Sequence, residues 1–253
     1  MSLTTVSIWK QKAIARLGKT FSHQQVTELI RLADIASLFP GSDSVFRRIS
    51  HAKEDEAVLD YLAEIRFGLT FAGLEFDLRF EPGGEKGPDL LVSRDGQSAH
   101  VEVRRIRPSL LEPDLPFLDL RDDSSDAMLV PYGDFEKSVK KLEDELSAKF
   151  SQTGTGTSII ACWSDRFSVE EVDFKVAIRH LLIDAQTGAK RIPAGLLFCI
   201  FGWNWFTARG QGLRRGVLKD LAEPFASWAS DLKGARFSLE SFPGSVGAPQ
   251  QQR

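Results

Sequence analysis

The spacing of apolar residues divides the chain into helical and extended segments. Up to Ala72, apolar positions recur every three or four residues, as they do along one face of a helix. This spacing predicts one or two helices between Ser7 and Leu38, and a longer helix from about Asp55 to Ala72 that Gly73 closes. From Leu74 to Phe80 apolar and polar residues alternate, which is typical of a half-buried strand.

Two further strands are predicted around a tight turn. They cover Leu90–Val92 and His100–Arg104, with Asp95-Gly96 between them. An Asp-Gly pair favours the two-residue turn of a β-hairpin, because both residues tolerate positive φ. With that turn Arg94 faces Gln97, and the same register places other residues of the two strands opposite one another.

The rest of the chain alternates between helical patterns and short apolar runs. Residues 107–132, rich in Pro and Asp, predict an irregular segment. Three helices and two buried strands are predicted after it: helices at about Asp134–Phe150, Val169–Ala185 and Val217–Leu232, and strands at Ser158–Trp163 and Ala194–Phe201. This order predicts an α/β fold with a mixed sheet flanked by helices, antiparallel at its start and parallel later.

The length and composition fit a globular α/β protein. A chain of 253 residues that is 42% hydrophobic can bury a sizeable core. We expect residues 1–50 to be an N-terminal helical addition, 51–240 to be the α/β core, and 241–253 to be a disordered tail.

Charge and targeting signals narrow the classes of function. The formal net charge is −3, from 32 basic and 35 acidic residues, so a protein that coats nucleic acid non-specifically is disfavoured and any contact must come from a local patch. The N-terminus lacks a secretory apolar segment, and no apolar stretch is long enough to span a bilayer. We therefore expect a cytoplasmic protein without membrane contact. Cys162 and Cys199 lie in apolar runs and predict buried, reduced thiols rather than zinc ligands.

The predicted hairpin carries the candidate chemistry. Its register places Asp89 directly opposite Glu102, where Cβ atoms are about 5 Å apart and two carboxylates repel unless a cation bridges them. Mg²⁺ is the natural bridge, since it takes carboxylate oxygens and retains water. Arg104 lies on the same face as Glu102, whereas Val101 and Val103 point to the other face.

These residues resemble the motif of a known family. Gly87-Pro88-Asp89 followed by Glu102-Val103-Arg104 is similar to the PD-(D/E)xK nuclease superfamily, whose fold many restriction endonucleases share, and the order of elements from residue 55 to 201 agrees. The resemblance implies a restriction-endonuclease-like fold and Mg²⁺-dependent hydrolysis of nucleic acid, DNA rather than RNA. Asp89 and Glu102 would bind the metal, and Arg104 would clamp the phosphate. Glu64, on the helix before the sheet, would orient metal-bound water or a second ion.

The chain departs from the family at Arg104, where a lysine is usual. An arginine stays charged and can act only as an electrostatic clamp, so Lys86, Lys137 or Lys140 could supply the missing lysine instead. An alternative function is a catalytically inactive nuclease-like module that binds nucleic acid or a protein partner. A third is a protein-interaction domain whose 107–132 segment is the binding loop. A homodimer is compatible with each.

The same residues could also have purely structural roles. Glu64 could be a solvated helix residue. Several arginines could form surface ion pairs with acidic residues: Arg104, Arg105 and Arg107 with Asp122, Asp123 or Glu81. A segment of aromatic and basic residues could bind nucleic acid: Trp203, Trp205, Phe206, Arg209, Arg214 and Arg215. In the structural interpretation its aromatic residues cap the core after a strand, and its arginines lie in a solvated loop.

Overall fold

The computed structural model describes most of the chain in eight stretches. They are residues 7–21, 23–84, 87–107, 135–153, 156–164, 169, 171–203 and 213–235. These residues form an α/β fold with a six-stranded mixed sheet flanked by helices. Within them, no helix combines the length and the apolar character needed to cross a bilayer.

Seven helices and six strands are defined in these stretches. The helices are α1 Ile8–Thr20, α2 His23–Ala36, α3 Ser42–His51, α4 Asp55–Gly73, α5 Phe135–Phe150, α6 Glu171–Gln186 and α7 Phe225–Leu232. The strands are β1 Asp77–Phe80, β2 Leu90–Arg94, β3 Gln97–Arg105, β4 Ser158–Ser164, β5 Leu196–Trp203 and β6 Arg214–Val217. The strands follow one another across the sheet in chain order. β1, β2 and β3 are antiparallel, β4 and β5 are parallel, and β6 is antiparallel to β5.

The β2–β3 hairpin has the register predicted from the sequence. Arg94 pairs with Gln97, and the ladder continues to Leu90 and Val101. Asp95 and Gly96 have φ values of 55° and 72°, the double left-handed conformation of a type I′ turn. The turn residues thus determine which side chains of the two strands share a face.

The described residues separate into two compact units, one up to Val101 and one from Glu102 onward. In the first unit, α4 packs against β1. A Cβ atom at Gly68 of α4 would lie 2.9 Å from the Phe80 ring, so glycine allows the helix to approach the strand. The core of this unit includes the fully buried side chains of Phe67, Leu90 and Val101.

In the second unit, α5 and α6 pack against β4 and β5. Every residue of β4 is buried, which explains its continuous apolar pattern. One core cluster joins the helices to these strands through residues such as Leu142, Leu146, Ile160, Phe174, Cys199 and Phe201. Cys162 and Cys199 are free, buried thiols, as predicted.

Two predicted elements need correction, and one observed helix is absent from the prediction. The strand expected from Leu74 begins only at Asp77, because Glu75 has a φ of 64° and the chain turns there after α4. The helix predicted over Val217–Leu232 is wrong, since β6 occupies Arg214–Val217 and only Phe225–Leu232 is helical. The helix α3 was not predicted. Residues 108–132 of the expected irregular segment and the expected tail lie outside the described residues.

Candidate functional site

In the first unit, Arg48 of α3 holds two buried carboxylates. Its Nη2 atom contacts Oε2 of Glu64 on α4 and Oε1 of Glu81, the residue that follows β1. The side chains of Glu64 and Glu81 are only 7% and 3% exposed. The Arg48 guanidinium also lies 4.5 Å from the centre of the Tyr61 ring, a cation–π contact. The Arg48 guanidinium therefore pairs with two carboxylates that are both largely shielded from solvent.

Glu81 reaches this cluster because of its backbone. Its φ of 42° departs from extended geometry, and both Phe80 and Glu81 are buried, so the in-out alternation of β1 breaks here. The Glu81 N–H donates to the Asp89 carbonyl at 2.8 Å, which continues the β1–β2 ladder by one pair. The Ser44 hydroxyl donates to the Glu81 carboxylate. The cluster thus connects α3 and α4 with the end of β1.

The electrostatics of the cluster follow from this burial. Burial raises the pKa of the Glu64 carboxyl well above its ordinary range, and the nearby charges of Asp89 and Glu81 raise it further, while Arg48 opposes the rise. Burial alone would lower the pKa of Arg48, but the charges of Glu64, Glu81 and Asp89 raise it overall. Arg48 therefore stays cationic, and burial favours the protonated form of Glu64.

In the second unit, two ion pairs connect the end of β3 to α5. Lys149 Nζ lies 3.0 Å from Oε2 of Glu102, and Arg104 Nε lies 2.5 Å from Oε2 of Glu145. Two residues along a strand advance about 6.6 Å. Four residues along a helix advance about 6.0 Å, so the two pairs match in spacing when strand and helix run in opposite directions. Glu102 and Arg104 thus form a charge ladder with α5.

The four residues predicted to form the site all lie among the described residues. Glu64 is buried rather than solvated, and the charge of Asp89 is near enough to raise the pKa of the Glu64 carboxyl. Glu102 is buried, and Arg104 has a side chain that is 40% exposed. Val101 and Val103 are buried, as predicted. Glu64 and Asp89 belong to the first unit, and Glu102 and Arg104 belong to the second.

The lysine near Glu102 is not one of the three expected. Lys86 lies outside the described residues, Lys137 is exposed, and Lys140 is exposed and pairs with Asp144 at 3.0 Å. Lys149, on the last turn of α5, occupies the position beside the acid instead. The sequence contained an indication of this helix face, since Glu145 and Lys149 are four residues apart on a predicted helix and therefore lie on the same side of it.

The other charged interpretations resolve in part. Arg104 pairs with Glu145, and Glu81 pairs with Arg48. Arg214 and Arg215 lie in β6 rather than in the expected solvated loop, and Arg214 pairs with Glu171 at 2.5 Å. Several residues named in these interpretations lie outside the described residues: Asp122, Asp123, Trp205, Phe206 and Arg209.

The candidate ligands have suitable donor chemistry for Mg²⁺, although the chain's own cations already contact two of them. Asp89, Glu102 and Glu64 offer carboxylate oxygens, which Mg²⁺ prefers. Arg48 contacts one oxygen of Glu64, and Lys149 one oxygen of Glu102. Among the described residues, no group of three or more His, Cys, Asp or Glu side chains is arranged as a metal site. A metal ion would therefore have to share these carboxylates with Arg48 and Lys149, or displace the two cations from them.

Comparison of the chain with models of protein families, with curated proteins and with solved structures gave no match. The resemblance to the PD-(D/E)xK nucleases therefore remains a prediction that rests on the motif residues and the order of elements.

Proposed function

We propose that the chain is a metal-dependent nuclease that hydrolyses phosphodiester bonds of nucleic acid, DNA rather than RNA, with Mg²⁺ as its cofactor. The observation that carries this proposal is the register of the β2–β3 hairpin from Leu90 to Val101. The proposal extends that register by one pair, to Asp89 and Glu102. Two carboxylates in that relation favour a bridging divalent cation.

The residues have distinct roles in the proposed reaction. Asp89 and Glu102 would hold the metal, and Glu64 would orient its water or a second ion. When bound, the ion would supply charge against the phosphate and a water of lowered pKa. Arg104 would present the terminal nitrogens of its guanidinium to a phosphate oxygen while Glu145 fixes its Nε atom. Lys149 would hold the Glu102 carboxylate in position.

A second candidate is a nuclease-like module that binds nucleic acid or a protein partner without cutting. Arg48 and Lys149 favour it, because they already supply positive charge to Glu64 and Glu102. Arg104 also favours it, since a guanidinium does not give up a proton to help activate water.

A cleavage assay tests the first candidate against the second. Supercoiled plasmid, single-stranded DNA, duplex DNA and RNA are incubated with wild type and either Mg²⁺ or Mn²⁺. We expect wild type to cut DNA, and Asp89→Asn and Glu102→Gln to lose about a hundred-fold or more in rate, as when an essential catalytic group is removed. Asp77→Asn on the exposed face of β1 is the matched control and should cut normally. If folded wild type cuts no substrate with either ion, the nuclease proposal is wrong and the inactive module is favoured.

A further inference from the structure

A groove on the second unit combines cations, hydroxyls and an aromatic ring. It encloses about 460 Å³ and is lined by Ser147, Phe150, Ser151, Lys190, Arg191 and Pro193. This volume is within the range of roughly 300–1,000 Å³ that ligand pockets have. The groove lies where the last turn of α5 meets the loop between α6 and β5. None of these residues takes part in the charge ladder of Glu102 and Arg104.

The polar groups of the groove are suited to an anion. Arg191 is exposed and forms no ion pair with any described residue. Lys190 contacts Asp184 at 3.5 Å, which engages only one of the three donors of its ammonium group. The Ser147 Oγ atom is buried and lacks a hydrogen-bond partner among the described residues. No acidic side chain lines the groove.

The end of α5 does not oppose an anion there as strongly as a bare helix terminus would. The C-terminal carbonyls of a helix carry partial negative charge when they are unsatisfied. Here three of the last four carbonyls accept hydrogen bonds from nearby donors of the chain. The Ser151 hydroxyl donates to the Ala148 carbonyl, the Gln152 N–H to the Lys149 carbonyl, and the Thr153 hydroxyl to the Phe150 carbonyl.

We propose that this groove binds a single-stranded segment of nucleic acid, with a phosphate on Lys190 and Arg191 and an adjoining base on the Phe150 ring. The inference rests on the proposed nuclease function, since it names the surface that holds the substrate. Cations that track a backbone beside an aromatic ring that stacks a base are the combination that single-strand binding uses. The mostly apolar lining favours a stacked base over a bare inorganic anion.

Fluorescence anisotropy in EDTA tests the groove without any metal. The probe is a fluorescein-labelled oligothymidylate, titrated with wild type and with Lys190→Ala/Arg191→Ala. We expect the double variant to bind about ten-fold more weakly, with a slope of log affinity against log salt that is smaller by about 0.7, because one phosphate contact is lost. The matched control is Lys175→Ala/Arg179→Ala, which removes the same charge from exposed positions of α6 and should change the affinity less than about two-fold.

The ring is tested by Phe150→Ala, which should weaken binding of the oligothymidylate by about five-fold or more through lost stacking. Duplex DNA should be insensitive to this substitution. The inference is overturned if the control weakens binding as much as the groove variant, if Phe150→Ala binds as wild type does, or if an oligoglutamate peptide competes as well as the oligonucleotide. Because the assay contains EDTA, loss of groove binding is separate from loss of metal-dependent cleavage in Asp89→Asn, and either proposal can fail alone.

Discussion

Lys149 donates a hydrogen bond to the carboxylate of Glu102, with 3.0 Å between Nζ and Oε2. Both side chains are mostly buried, at 13% and 8% exposure. A lysine thus stands beside this acid although the motif has arginine at position 104, and it comes from a helix rather than from the strand. This relationship makes Lys149 the most informative residue to substitute in the second unit.

We expect Lys149→Met to lower the free energy of unfolding by about 3 kcal/mol, because it removes a cation that contacts the buried Glu102 carboxylate. Lys149→Arg should recover most of the loss. Urea unfolding followed by circular dichroism measures both. Lys140→Met is the control on the same helix, and it should leave the free energy of unfolding nearly unchanged, since Lys140 is exposed and pairs at the surface. Equal losses in Lys149→Met and Lys140→Met would show that the Glu102 pair contributes no more than a surface pair.

In the cluster around Arg48, removal of the cation should destabilise the protein more than removal of the charge of one carboxylate. Arg48→Met leaves Glu64 and Glu81 together without a cation, and we expect a loss of about 3 kcal/mol. Glu64→Gln leaves Arg48 with one carboxylate, and it should cost about 1 kcal/mol or less. Arg31→Met, at an exposed position of α2, is the control for loss of an arginine. If Glu64→Gln proves the more destabilising of the two, the interpretation that Arg48 compensates two acids is wrong.

The raised pKa of Glu64 predicts a dependence of stability on pH. Burial is its main cause, so the folded state holds the proton more tightly than the unfolded chain, whose carboxyl has its ordinary pKa of 4.5. This contribution to stability is complete below pH 4.5 and is lost as the pH rises through the folded-state pKa. Between pH 5 and pH 8, we therefore expect the free energy of unfolding to fall less in Glu64→Gln than in wild type. A parallel decline in both would assign the pH dependence to other groups.

The two thiols should be inert in the native protein. Burial raises the pKa of Cys162 to about 12, and that of Cys199 also rises well above its ordinary value. Because the thiolate is the reactive form, we expect no labelling by iodoacetamide at pH 8 without denaturant, and labelling of both cysteines in urea. Mass spectrometry counts the modified thiols. Rapid labelling of the native protein would mean that β4 or β5 opens locally.

The sequence pattern predicted those elements that are determined by neighbouring residues alone. The hairpin was predicted correctly because Asp95 and Gly96 determine its turn without help from the rest of the chain. The helices α4 and α5 were also predicted within one residue of their observed bounds, because their apolar stripes are long.

Elements that depend on distant partners were missed. β6 contains only one large apolar residue, Val217, and it forms because the backbone of β5 pairs with it. Gly216 in this strand would place a Cβ atom 2.5 Å from Ile178, so close packing on α6 decides its residue type. No periodicity in four residues can show either effect.

The sequence predicted the four candidate site residues but not the residues that pair with them. Glu64, Asp89, Glu102 and Arg104 stand out because the motif names them, whereas their partners are set by packing. Arg48 lies on α3, a ten-residue helix that was not predicted, although Val45 and Ile49 have helical spacing. Its contact with Glu64 spans sixteen positions of the chain and depends on how α3 docks on α4.

The type I′ turn at Asp95 and Gly96 also has a consequence for the order of events in folding. A β-hairpin closes in about 1–10 μs, faster than strands that must wait for a crossover helix. The pairing of Leu90 with Val101 needs only the hairpin itself, so it can precede the docking of any helix. Two turn residues thus settle early which side chains of these strands face one another, and a chain with a slipped turn would carry the error into every strand that joins afterwards.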